Sequence, residues 1–161
     1  MKTRLTDKAL AGETTEPLGD AAEIARLMGL PSWRRMSSLS LVDQIERGPP
    51  LQAAERVAQV MAPGDPRAKY TLLSHSTWSR LRKRPRRHLT RESSERVHRV
   101  ARVLLEARRL WADDDSAMVR FLNRPHRLLG GRTPLDAARA STAGADLVVR
   151  IIGEARAGVA V

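Results

Sequence analysis

Four histidines and a run of three aspartates are the residues from which this chain could assemble a reactive centre, and it has no cysteine at all. His75, His88, His98 and His126 are scattered. No two of them stand four apart with an acid beside them, so the helical zinc-protease arrangement is absent. Without thiols there is neither a disulfide framework nor a thiolate metal site. Asp113, Asp114 and Asp115 could hold a hard cation, but the glycine and distal glutamate of a calcium loop are missing. Negative charge there reads better as a helix start, where it meets the positive end of the dipole. No serine sits in a Gly-x-Ser-x-Gly context, and there is no phosphate loop or dinucleotide fingerprint. Nothing points to an enzyme, a metal or a cofactor, so the chemistry to look for is binding.

The charge says where. The chain of 161 residues carries a net +11, but residues 1–79 and 110–161 are each only +1. Residues 80–109 hold 12 Lys/Arg against 3 Asp/Glu, a net +9. A solvated helix face usually mixes signs; acids are scarce here, as on a nucleic-acid face. No apolar run approaches the ~20 residues of a membrane span, and residues 1–4 begin no apolar signal core. With no cysteine, a cytoplasmic protein is expected.

The elements that must position these cations are helices. Only 3% of the residues are aromatic, so the core has to come from Leu, Val, Ala, Ile and Met. That composition favours helix, and no alternating strand pattern appears; the expected class is all-α. Residues 1–19 read as a disordered lead. Asp20 to Glu23 resembles a capping box opening a helix that ends at Gly29. Ser38 or Ser40 caps a second helix closed by Gly48, and Pro49-Pro50 opens a third. Asp65 and Pro66 start a fourth, to about Leu73. Ser74, His75 and Ser76 form a turn, and a helix from about Thr77 runs to Pro85. Thr90 caps a long helix to about Trp111, and Asp113–Asp115 open another. Residues 134–140 and 142–157 form the last two. Gly144 and Gly153 inside the final helix each cost ~1 kcal/mol relative to Ala, which implies close backbone approach or a marginal helix. A seam near 112–116 divides residues 20–112 from 113–161.

Residues 66–84 have the order and length of a helix-turn-helix. The second helix would present Ser76, Thr77, Ser79 and Arg80 to base edges, Arg80 gripping guanine O6 and N7. Arg82, Lys83, Arg84, Arg86 and Arg87 would contact phosphates of a double-stranded operator. Trp78 and Leu81, three apart, share a face that packs on the preceding helix.

The near-neutral end of the chain is different. Gly130, Gly131 and Pro134 fix a sharp turn, after which Thr133 is an N-cap, Pro134 the first helical residue and Asp136 an acid at N3. The stretch Ala117 to Asp136, followed by a helix running to Gly158-Val-Ala-Val161, resembles the toxin-binding domain of the Xre/MbcA/ParS antitoxins. Residues ~41–112 resemble, in helix order and basic content, the Xre-like helix-turn-helix that precedes it in that family. The resemblance implies a type II toxin–antitoxin system whose partner is a RES-domain toxin acting on NAD+. It implies that Pro125, Gly130, Gly131, Pro134 and Leu135 shape the docking domain. It further implies that Gly158, Val159, Ala160 and Val161 plug the toxin's NAD site, and that the antitoxin dimerises and represses its own operon. The alternative left by the residues alone is a stand-alone helix-turn-helix repressor with no toxin partner.

Overall fold

The computed structural model describes residues 18–112 and 114–158. Val159, Ala160 and Val161, three of the four expected plug residues, lie outside them, as does the expected lead apart from residues 18 and 19. Among the described residues the chain forms nine α-helices and no strand, so the all-α class holds. The helices are α1 (Asp20–Leu27), α2 (Ser38–Arg47), α3 (Gln52–Met61), α4 (Ala68–Leu72) and α5 (His75–Arg82), then α6 (Arg91–Trp111), α7 (Asp115–Asn123), α8 (Pro134–Ala140) and α9 (Thr142–Arg156). Short 3-10 turns occur at Trp33–Arg35 and Arg127–Leu129.

The long helix α6 is the axis. It touches α1, α2 and α3 from the first part of the chain and α7, α8 and α9 from the last. Val97, Val100, Ala101, Val103, Leu104 and Ala107 are all fully buried, and at 3.6 residues per turn they share one broad apolar stripe of about 160°. Each Val or Leu removed from water there contributes about 1.5–3 kcal/mol. A single apolar core therefore runs from α1 through α6 to α9.

Most helix ends fall where local capping chemistry puts them. Thr90 accepts from the Ser93 N–H and Thr133 from the Asp136 N–H, with Pro134 in the first turn. Asp114 accepts from the Ala117 N–H at the start of α7. Four expectations need correction. α1 is preceded by Gly19 with no side-chain cap, because Asp20 and Glu23 are spent on Arg109, at 2.7 and 2.8 Å. The cap of α2 is Ser37, not Ser38 or Ser40. Asp65 caps only a turn, accepting from the Arg67 N–H at 2.8 Å, and α4 begins at Ala68. α5 starts at His75, two residues earlier than its composition suggests, because Ser74 is its cap. As for the glycines of α9, a Cβ on Gly144 would collide with the Ala137 carbonyl, so α8 and α9 approach closely there. Nothing crowds Gly153.

Candidate nucleic-acid interface and docking surface

α4 and α5 are joined by two extended residues, Leu73 and Ser74. Ser74 Oγ accepts from the Thr77 N–H at 3.2 Å and donates its single proton to Thr77 Oγ1 at 2.9 Å. The remaining contact, 3.1 Å to Ser76 Oγ, must then be a bond that Ser76 donates. Ser76 is left as an outward acceptor and Thr77 as a donor. Leu72, Leu73, Trp78 and Leu81 are buried together, which fixes the rotation of α5 on α4. Ser76, Arg80, Arg82 and Lys83 are consequently exposed, and Thr77 and Ser79 are half-buried. The Tyr70 and His75 rings stack at 4.7 Å across the joint.

After α5 the chain is strapped down. The Leu51 N–H donates to Arg87 O at 2.7 Å and the Leu89 N–H to Pro49 O at 2.9 Å. His88 Nδ1 lies 2.6 Å from Gly48 O. A carbonyl only accepts, so that nitrogen carries the proton. Gly48 has φ +82°, and a Cβ there would strike the Leu89 carbonyl. Arg84, Arg86 and Arg87 are thus exposed on a segment fixed at both ends. Among the described residues, none of Arg80, Arg82, Lys83, Arg84, Arg86 and Arg87 has a carboxylate within 4.0 Å.

The arginines of α6 behave otherwise, which narrows the expected basic face. Arg91 pairs with Glu95 and Glu46, Arg96 with Glu92, and Arg102 with Asp146. Arg109 joins Asp20, Glu23 and Glu106, and Glu106 also holds Arg156. Hydrogen bonding to Asp20 raises the Arg109 pKa further. Arg99 donates to the Ala138 and Arg139 carbonyls at 3.2 and 3.0 Å, closing the end of α8. Burial, then Arg102 and Arg99, push His98 down to about 4. Within 80–109, the cations with no carboxylate partner among the described residues are the six of 80–87, Arg99 and Arg108; the other four arginines of α6 are tied to carboxylates of the fold.

In the C-terminal half, residues 126–132 form a closed turn. The His126 N–H donates to Arg132 O at 3.0 Å, and the Gly131 N–H returns to His126 O at 3.1 Å. Gly130 and Gly131 adopt φ of +62° and +79°, a left-handed pair that glycine takes without strain. Asp136 pairs with Arg139 at 3.1 Å rather than reaching back to the cap. Pro125, Gly130, Gly131 and Gly158 are exposed, whereas Pro134 and Leu135 are buried and can act only by shaping the turn. Leu128, unmarked in the sequence reading, is a large apolar side chain left 46% exposed at the tip of this turn. Its place beside the two glycines is the signal that would have found it. No described helix is long and apolar enough to cross a membrane.

A helix-turn-helix with unpaired cations, joined through one long helix to a second helical unit with an exposed turn, is the layout of a DNA-binding protein that carries a partner-binding domain. The sequence comparisons agree. Residues 40–102 match the antitoxin Xre-like helix-turn-helix domain, and residues 106–158 match the antitoxin Xre/MbcA/ParS C-terminal toxin-binding domain. The chain belongs to the Xre/MbcA/ParS family of antitoxins. No curated protein matches it in sequence.

Proposed function

We propose that this antitoxin represses its own operon by setting α5 in the major groove, and neutralises a RES-domain toxin by occupying its NAD site. The observation that supports the first half is the set of unpaired cations on 80–87 beside the exposed start of α5. Ser76, Thr77, Ser79 and Arg80 face the bases; Arg82, Lys83, Arg84, Arg86 and Arg87 hold phosphates. A homodimer places two α5 helices about 34 Å apart on a pseudo-palindromic operator.

For the toxin, the exposed turn around Pro125, Gly130 and Gly131, set by buried Pro134 and Leu135, is the docking surface. Gly158, Val159, Ala160 and Val161 fill the NAD site. Filling a site requires no catalytic residue. We divide the labour as residues 20–112 for DNA and 113–161 for the toxin, with α6 supporting both.

Co-expression with the product of a neighbouring RES-type reading frame tests this. The full chain restores growth. A chain shortened after Ala157, which leaves α9 whole, does not restore growth yet still shifts a duplex from upstream of its own reading frame. Rescue by the shortened chain removes the plug from the mechanism. No rescue by the full chain removes the toxin half altogether.

A further inference from the structure

The unpaired cations are not spread evenly. Arg82, Arg86 and Arg87 share a cleft of about 610 Å³ with Lys69 of α4 and with Gln52 in the first turn of α3. Glu55 is the single acid on the cleft wall, and it makes no ion pair within 4.0 Å among the described residues. Four cations thus face one carboxylate. The fold holds them there: the bonds from Leu51 to Arg87 and from His88 to Gly48 pin one wall against the start of α3. On the other side, Lys69 Nζ lies 5.3 Å from the Tyr70 ring and 5.4 Å from the Trp78 ring. Aromatic faces orient an ammonium without neutralising it. Trp78 also borders the adjoining hollow with Arg82 and Arg87, and its buried Nε1–H has no acceptor among the described residues.

Like charges held together without counter-charge repel one another, and an anion relieves that. A guanidinium fork matches the paired oxygens of a phosphate, an ammonium adds a point charge, and the Gln52 amide adds a neutral donor. We propose that this cleft seats one backbone phosphate of duplex DNA, gripped by Lys69 and Arg87 with Gln52 beside them. α4 and the first turn of α3 thereby anchor the backbone while α5 reads the groove. The seat rests on the DNA-binding reading above, and adds Lys69 and Gln52 to the contact set.

The test is duplex binding by fluorescence anisotropy over a salt series, with a random-sequence duplex and one from upstream of the reading frame. Substituting both Lys69→Gln and Arg87→Gln makes the slope of log K against log salt shallower by about one, the count for one phosphate. Both duplexes lose the same factor, because a phosphate contact carries no sequence information. Lys69→Arg alone keeps the original slope. An unchanged slope in the double variant, or a loss of two, overturns the seat while leaving DNA binding in place. Absence of duplex binding by the full chain overturns both. Should the double variant melt early by circular dichroism, Gln52→Ala at an exposed position carries the test. It weakens both duplexes several-fold without changing the slope, and undiminished affinity overturns the seat.

Discussion

Residues 80–88 and 91–109 are neighbours in the chain and both are rich in arginine, yet they use charge in opposite ways. In the first stretch every cation is exposed and has no carboxylate within ion-pair distance among the described residues. In the second, Arg91, Arg96, Arg102 and Arg109 have carboxylate partners, and Arg99 is bonded to two carbonyls. A guanidinium whose donors already meet protein acceptors has few left for a phosphate. Net charge over a window therefore locates a binding face only loosely. Cations left without carboxylate partners locate it better: among the described residues six of the eight such cations in this thirty-residue window stand in its first third, and the other two are Arg99 and Arg108.

The contrast can be broken in several places. The largest effect belongs to the shared helix: Leu104→Ala should cost about 3 kcal/mol in thermal or urea unfolding, and should weaken DNA and toxin binding together. Loss of only one of the two would contradict the role of α6 as a common support. Next is Arg80→Ala. Titration of duplexes altered one base pair at a time should show about 1–3 kcal/mol of discrimination lost at one position, with an unchanged melting temperature. Arg109→Ala should do the reverse. It leaves Asp20 and Glu23 without their cation and Glu106 with Arg156 alone, so stability falls by about 1–2 kcal/mol while the salt slope for DNA stays put. A shallower slope in that variant would place α6 on the DNA after all.

A smaller effect follows from His98, which is held at about 4 against an ordinary 6.5. The unfolded chain takes up a proton between those values that the folded chain refuses. Stability accordingly falls as pH drops from about 6.5 to about 4, and is flat above that window. Urea midpoints across this range should flatten in His98→Gln, by an amount on the order of 1 kcal/mol. The smallest change in stability is expected of Arg86→Ala. Its melting curve should match that of the parent, while all duplexes bind alike more weakly and the salt slope becomes shallower by about one.

Much of the fold was legible because its signals are local. Thr90, Asp114 and Thr133 each cap a helix through a bond to a residue three further on. Gly144 announced the close approach of α8 and α9. What escaped is long-range. The bond from His88 to Gly48 spans 40 residues, and that from Arg109 to Asp20 spans 89. Neither leaves a mark in the surrounding sequence, and Asp20 with Glu23 even imitated a capping box. The start of α5 was read two residues late, because Ser74, His75 and Ser76 have the composition of a turn, whereas Ser74 caps the helix. At the candidate site the residue types were readable and their grouping was not. Lys69 and Gln52 reach the cleft from two other helices, and only the folded chain brings them beside Arg87.

The guanidinium of Arg99 ends α8 from a neighbouring helix, 39 and 40 residues earlier in the chain. That one bond set bears on how such a protein can be inherited. The two matched domains meet inside α6, at residues 102 and 106. A recombination event that cut there would part Arg99 from the Ala138 and Arg139 carbonyls that it serves, and Arg102 from Asp146 of α9. A gene carrying a new toxin-recognition half would have to bring its own copy of the long helix, so exchange between antitoxins is expected to keep α6 with α8 and α9 as one heritable block.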